Sequence, residues 1–301
     1  VFLYGCVGEI ITEKAGHLNL GIPGIMCLGT AGGAIGVAIY MNSLPSANDG
    51  VWIWVILISL IFSVLFSGIG GLIYSFLTVT LKANQNVTGL ALTTFGAGFV
   101  DYVMTTIDKT RFAAASVLFK LSISSSSNWF CRLFLSYGIY VYLAIVIALI
   151  TAFVLRKTKV GLYLRAVGEN PATADAAGIN VNKYKYIAIL TGSAIAGLGG
   201  LTYLMDYVRG SWENSNTIQA MGWLAIALVI FTLWKPDLSI LGAFVFGALY
   251  LEATKLRTIL YLLDAIPYLI TIIVLILTSV FDSKENQPPA ALGLAYFREE
   301  R

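Results

Sequence analysis

The sequence predicts an all-α polytopic membrane protein, a bundle of about eight to nine transmembrane helices, some of them broken. Three observations carry this. The 301 residues are 58% hydrophobic and only 12% charged, with a mean hydropathy of +0.82, whereas soluble domains carry about twice that charge. The apolar residues fall in runs of about 20 or more, the length that crosses a hydrocarbon core as a helix. The 29 glycines suit helices that must approach closely where no hydrophobic drive pulls them together.

Residues 1–11 read as the remnant of a span. Valine stands first in a segment that is already apolar, so the chain is expected to begin past its natural start. Spans follow at 18–41, 51–81, 86–106, 134–155, 184–206, 218–234, 238–254 and 259–281. The first of these opens Leu18-Asn19-Leu20-Gly21-Ile22-Pro23-Gly24, where proline and glycines interrupt a regular helix, and the run 218–234 is short. Broken helices are tolerated in a membrane where the freed backbone faces protein or a water-filled path, which makes both places pathway candidates. Gly29 with Gly33, Gly32 with Gly36, and Gly192 with Ala196 and Gly200 stand at helix-packing spacing. Trp52, Trp54, Trp129, Tyr137 and Trp234 fall near span ends, as interfacial anchors do. Cys6, Cys27 and Cys131 show no metal or redox spacing and read as buried free thiols.

Between two long apolar runs lies a polar island, 156–185. Within it Asn170 suits an N-cap, Pro171 the first helical position and Gly178 the left-handed residue that ends a helix. The enclosed helix is a rod of roughly 10 Å, rich in alanine at Ala172, Ala174, Ala176 and Ala177. Alone it would not persist in water. A short capped helix held between spans is a rigid tooth that docks into something outside the membrane. The island carries Arg156, Lys157, Lys159, Arg165, Lys183 and Lys185 against Glu169 and Asp175, while the connection 42–50 has no Lys or Arg. The positive-inside rule therefore makes the island cytoplasmic and 42–50 external. Alternation puts Lys82, Lys235 and the tail 282–301 inside and the segment 107–133 outside. That last segment carries Lys109, Arg111, Lys120 and Arg132, and long connections obey the rule less strictly.

Absent motifs narrow the function. No Gly-x-x-x-x-Gly-Lys-Ser/Thr occurs, so the chain is not its own ATPase and any ATP is used by a partner. The sole histidine, His17, has no ligand partner at metal spacing, and neither Gly-x-Ser-x-Gly nor His-Glu-x-x-His is present. No catalytic residue, resident cofactor or metal site is expected, and the modest net charge of +3 gives no nucleic-acid signature. Within spans the acids Asp101, Asp206, Glu252 and Asp264 sit near the ends. An interrupted helix without a buried charge speaks against the rival reading, an ion-coupled secondary transporter.

Four blocks resemble the membrane permease subunits of bacterial ABC importers, in the branch serving branched-chain amino acids, ribose, simple sugars and nucleosides. They are Glu13-Lys14-Ala15-Gly16-His17-Leu18-Asn19-Leu20-Gly21-Ile22-Pro23-Gly24; Asn86-Val87-Thr88-Gly89-Leu90-Ala91-Leu92; Gly161 to Pro171, running on through Ala177-Gly178-Ile179 to Gly197-Leu198-Gly199-Gly200; and the ending Pro288-Pro289-Ala290-Ala291-Leu292-Gly293-Leu294-Ala295-Tyr296. The first departs from the family in placing Pro23 where glutamate is usual. The ending is similar to Pro-Ala-Ala-Leu-Gly-x-x-Tyr of nucleoside-type members.

This resemblance implies a type II ABC importer fold and one transmembrane permease domain over 1–301. The island then becomes a coupling loop, with Arg165, Gly168, Glu169, Asn170, Pro171, Ala174, Asp175, Ala177 and Gly178 facing or framing an ATPase. It further implies an ABC ATPase, a second permease subunit of a different chain, an external binding protein or lipoprotein, and a bacterial inner membrane. Nucleosides are the first expected cargo, with simple sugars or riboflavin as the alternatives. Asn19, Asn86 and Thr88, polar residues on interrupted or glycine-rich membrane segments, are candidates for the substrate path. Each either meets a hydrogen-bonding ligand in transit or satisfies broken backbone nearby.

Overall fold

A computed structural model describes residues 1–119, 129, 137–256, 272 and 287–297. Eleven helices lie among them: α1 Phe2–Lys14, α2 Ile22–Ser43, α3 Trp52–Ser75, α4 Gln85–Thr106, α5 Lys109–Phe119, α6 Ile139–Lys157, α7 Lys159–Glu169, α8 Pro171–Ala176, α9 Val181–Thr202, α10 Asn216–Phe231 and α11 Pro236–Leu256. Five stretches are long and apolar enough to cross a membrane: Ile22–Ser43, Trp52–Thr80, Gln85–Thr106, Ile139–Lys157 and Val181–Tyr207. The apolar helices Asn216–Phe231 and Pro236–Tyr250 are shorter. The expected span 259–281 falls outside the described residues but for Ile272, as do Lys120, Cys131, Arg132 and Asp264.

α2 lies at the centre, packed against α3, α4 and α9, and α9 packs in turn on α1 and α3. Small residues set this spacing. A Cβ on Gly29 would stand 2.6 Å from the Gly197 carbonyl carbon, so the α2 and α9 backbones touch where only glycine fits. Cys6 and Cys27 are buried free thiols.

One expectation changes on contact with the structure. Pro23 does not interrupt α2; it stands in the helix's first turn, where its missing N–H has no intrahelical partner to lose. The irregular piece is instead Gly16–Gly21, before the helix starts. α3 and α9 both end in a π-helical turn, Phe76–Thr80 and Tyr203–Tyr207. The two turns close alike. The Leu81 and Ala83 amides donate to the Phe76 and Leu77 carbonyls at 3.0 and 2.9 Å, and the Val208 and Gly210 amides to the Tyr203 and Leu204 carbonyls at 2.9 and 2.8 Å. Each is followed by a left-handed residue, Lys82 (φ 56°) or Arg209 (φ 51°).

The connections gather at two ends. At one end lie the Gly16 loop, Lys82, the island 156–185, Lys235 and the tail, tied in part by an Arg156–Asp237 ion pair at 2.7 Å. At the other, the Arg111 guanidinium donates to the Met41 and Leu44 carbonyls at 2.8 and 3.0 Å, and the Ser215 hydroxyl to Asp101 at 2.7 Å. The grouping agrees with the sides drawn from the basic residues.

Candidate coupling helix and the break before the second span

α8 forms where the caps placed it. The Asn170 side chain accepts from the Thr173 amide at 2.9 Å, Pro171 opens the helix, and Gly178 follows it at φ +82° with nothing near its missing side chain. The Ile179 amide then donates to the Ala174 carbonyl at 3.0 Å, which closes the C-terminus as a left-handed cap does.

The alanines are not equivalent. Ala174 is only 3% exposed and packs with Val167 and Val181, against Tyr184 and Tyr296. It fastens α8 to α7 and α9. Ala172, Thr173, Ala176 and Ala177 are the exposed face. Gly168 is buried at the end of α7, where a Cβ would run into the Lys14 carbonyl and stand 3.2 Å from the Gly16 amide nitrogen. Gly16 itself adopts φ +81°, a conformation costly for residues with a side chain. Arg165 is exposed and shares a cleft with Lys14, Glu169 and Lys235.

Glu169 and Asp175 are engaged by the C-terminal tail. The Ala290 amide donates to Glu169 Oε2 at 3.3 Å, and the Tyr296 hydroxyl to Asp175 Oδ2 at 2.8 Å. The Ala291 amide donates to the Gly168 carbonyl at 3.0 Å, and the Gly293 amide to the Gly16 carbonyl at 3.2 Å. The fourth sequence block is therefore a strap over the first and third. Beside it, desolvation by the surrounding chain lowers the pKa of the Lys82 ammonium.

The break Gly16–Gly21 is laced by side chains from three helices. The Leu18 amide donates to Gln85 Oε1 at 2.9 Å, while Tyr74 donates to the Leu18 carbonyl at 2.7 Å and Thr93 to the Leu20 carbonyl at 3.1 Å. The Asn19 amide donates to Glu9 Oε1 at 2.8 Å, and Asn19 Oδ1 accepts from Gly21 at 2.9 Å. Asn19 is fully buried, so this much of it serves the broken backbone. Thr88 donates to the Asn84 carbonyl at 2.8 Å, Asn84 caps α4, and Asn86 lies exposed beside it.

Two acids were missed by the sequence reading that found no buried charge. Glu9 and Glu13, one turn apart on α1, are 0% and 2% exposed. Glu13 Oε2 accepts from the Trp234 indole, which ties α1 to the end of α10. Among the described residues neither carboxyl has an ion-pair partner, and Glu9 Oε2, Asn19 Nδ2, Gln85 Nε2 and both His17 nitrogens lack hydrogen bonds. The i, i+4 spacing of two acids within an apolar run is the one sequence signal of this pair.

Over residues 2–277 the chain matches the family described as branched-chain amino acid transport system / permease component. The chain belongs to this family. It is therefore the multi-pass membrane subunit of an ABC transporter, with no catalytic activity of its own, and it implies an ATPase partner. Similar relatives include TsgC13 of Haloferax volcanii, provisionally named a glucose ABC transporter permease, at 30% identity over 86% of this chain and 74% of that one. The nucleoside ABC transporter permease NupC of Lactococcus lactis is 28% identical over 99% of this chain and 93% of its own. The guanosine ABC transporter permease NupQ of Bacillus subtilis is 28% identical over 98% and 92%.

Proposed function

We propose that this permease imports nucleosides across a bacterial inner membrane, as one of two different membrane subunits in a type II importer fed by an external binding protein or lipoprotein. The observation that carries the cargo is length of match. NupC and NupQ, named for nucleosides and guanosine, align over 99% and 98% of the chain and TsgC13, named for glucose, over 86%, while NupB of Lactococcus lactis, also named for nucleosides, aligns over 48%. The ending Pro288–Tyr296 is the block that resembles nucleoside-type members. Uptake of radiolabelled guanosine by the reconstituted complex tests the reading. Competition by unlabelled nucleosides and not by glucose or riboflavin is expected; the reverse pattern refutes it.

In this account α8 is the coupling helix. Its face of small residues permits close approach to a cleft of the ATPase, and its caps keep six residues from fraying under load. Closure of the ATPase pair on ATP would push α8, and the push would pass through Ala174 to α9 and through Gly168 to the Lys14–Gly16 loop. That loop leads into the laced break before α2. Rocking of α2 and α9 about their glycine contact would then expose the path alternately to either side, with Asn86 on the free face of α4 and Thr88 and Asn19 behind it.

A further inference from the structure

The tail Gln287–Phe297 is the one sequence block that the coupling scheme leaves without a task. Its amides and Tyr296 fasten it to Gly16, Gly168, Glu169 and Asp175, which are the points where the coupling helix meets the rest of the molecule. Two large apolar side chains take no part in that fastening. Leu294 is 60% and Phe297 45% exposed, at the end of the bundle where the island lies and outside the spanning helices. Phe297 walls a cleft of about 550 Å³ with Lys82, Asp175 and Gly178, and Leu294 walls another of about 470 Å³ with Lys82 and Asn86.

The exposed face of α8 offers only Ala172, Thr173, Ala176 and Ala177. Such side chains allow close approach but bring little area, and interfaces draw most of their affinity from a few large side chains seated in pockets. The tail supplies those beside the helix, Phe297 on a cleft shared with Asp175 of α8 and Leu294 on the neighbouring cleft across Lys82.

We propose that the tail is the second part of the ATPase-docking surface: the ABC ATPase seats on α8 and on Leu294 and Phe297 together. The strap then has two jobs, anchoring the ATPase and tying its motion to the Gly16 loop. This rests on α8 being the coupling helix, and the occupant is the ATPase that the family requires.

The test uses the permease in nanodiscs, titrated with the ABC ATPase of the same importer. The double variant Leu294→Asp with Phe297→Asp alters neither side chain of the strap's hydrogen bonds, so the permease should unfold at its usual temperature. It should bind the ATPase at least tenfold more weakly. Ala176→Trp, on the helix face, serves as the comparison. Wild-type affinity in the double variant with weakened Ala176→Trp overturns the tail proposal and leaves the coupling helix standing. Wild-type affinity in both overturns the two together. Loss in the double variant alone removes α8 from the surface and so overturns the composite site. A bimane on Phe297→Cys that is quenched by nitroxide lipids, and not by a quencher-labelled ATPase, makes the tail a membrane anchor and refutes the proposal.

Discussion

Gly168→Ala probes the joint between the coupling helix and the first helix. The added Cβ meets backbone: it collides with the Lys14 carbonyl oxygen, and its distances of 3.0 Å to the Lys14 carbonyl carbon and 3.2 Å to the Gly16 nitrogen fall short of the 3.5–4.0 Å of an ordinary contact by roughly 0.5 Å. No side chain can swing away, so α7 or the loop must move. Overpacking of this kind costs about 1–3 kcal/mol. For a chain this long that lowers the unfolding temperature by about 2–5 °C. The displacement also pulls the Gly168 carbonyl from the Ala291 amide and loosens the strap. Thermal unfolding of the purified permease should show the loss, and ATP-driven uptake should fall by more than the folded fraction does. Gly178→Ala meets no neighbouring atom and is strained only by φ +82°, a cost of about 1–2 kcal/mol that leaves the joint with the first helix untouched. Full uptake and an unchanged unfolding temperature for Gly168→Ala would refute the reasoning.

Three further outcomes follow from single contacts. Asn170→Ala deletes the Thr173 cap and should cost about 1 kcal/mol, seen as faster amide exchange confined to 171–177, while Asn170→Asp should restore protection. Glu9→Gln keeps an acceptor for the Asn19 amide and should unfold near the wild-type temperature, whereas Glu9→Ala strands that buried amide and opens a void, a loss of about 2–4 kcal/mol in thermal melts. Gly29→Val would drive two methyl groups into the Gly197 backbone, and the yield of folded, monodisperse permease should collapse, since the α2–α9 crossing has no room to relax.

The spans and the island were legible because their signals are local. Hydropathy over 20 residues and the Asn170-Pro171 with Gly178 caps depend on no distant partner, and the caps and five of the eight expected spans appear where expected. Partnerships were not legible. Ala174 belongs to the same alanine run as Ala172 and Ala176, and only the packing of Val167 and Val181 turns it inward. The tail was legible as a motif, but its seat on Gly16 and Gly168 joins residues more than 100 positions apart. The π turns at the ends of α3 and α9 carry no side-chain signature at all. Pro23 misled because proline marks a helix start as readily as a break. Glu9 and Glu13 were readable as an i, i+4 pair, and their burial was not.

The most direct test of the central claim, that α8 transmits ATPase closure to the transport path, is Ala177→Trp in the reconstituted importer. Ala177 is exposed and adds its bulk to the docking face without touching the buried cluster around Ala174. The account predicts a permease that melts normally in a complex that still hydrolyses ATP but loses guanosine uptake. Guanosine uptake at the wild-type rate would contradict it.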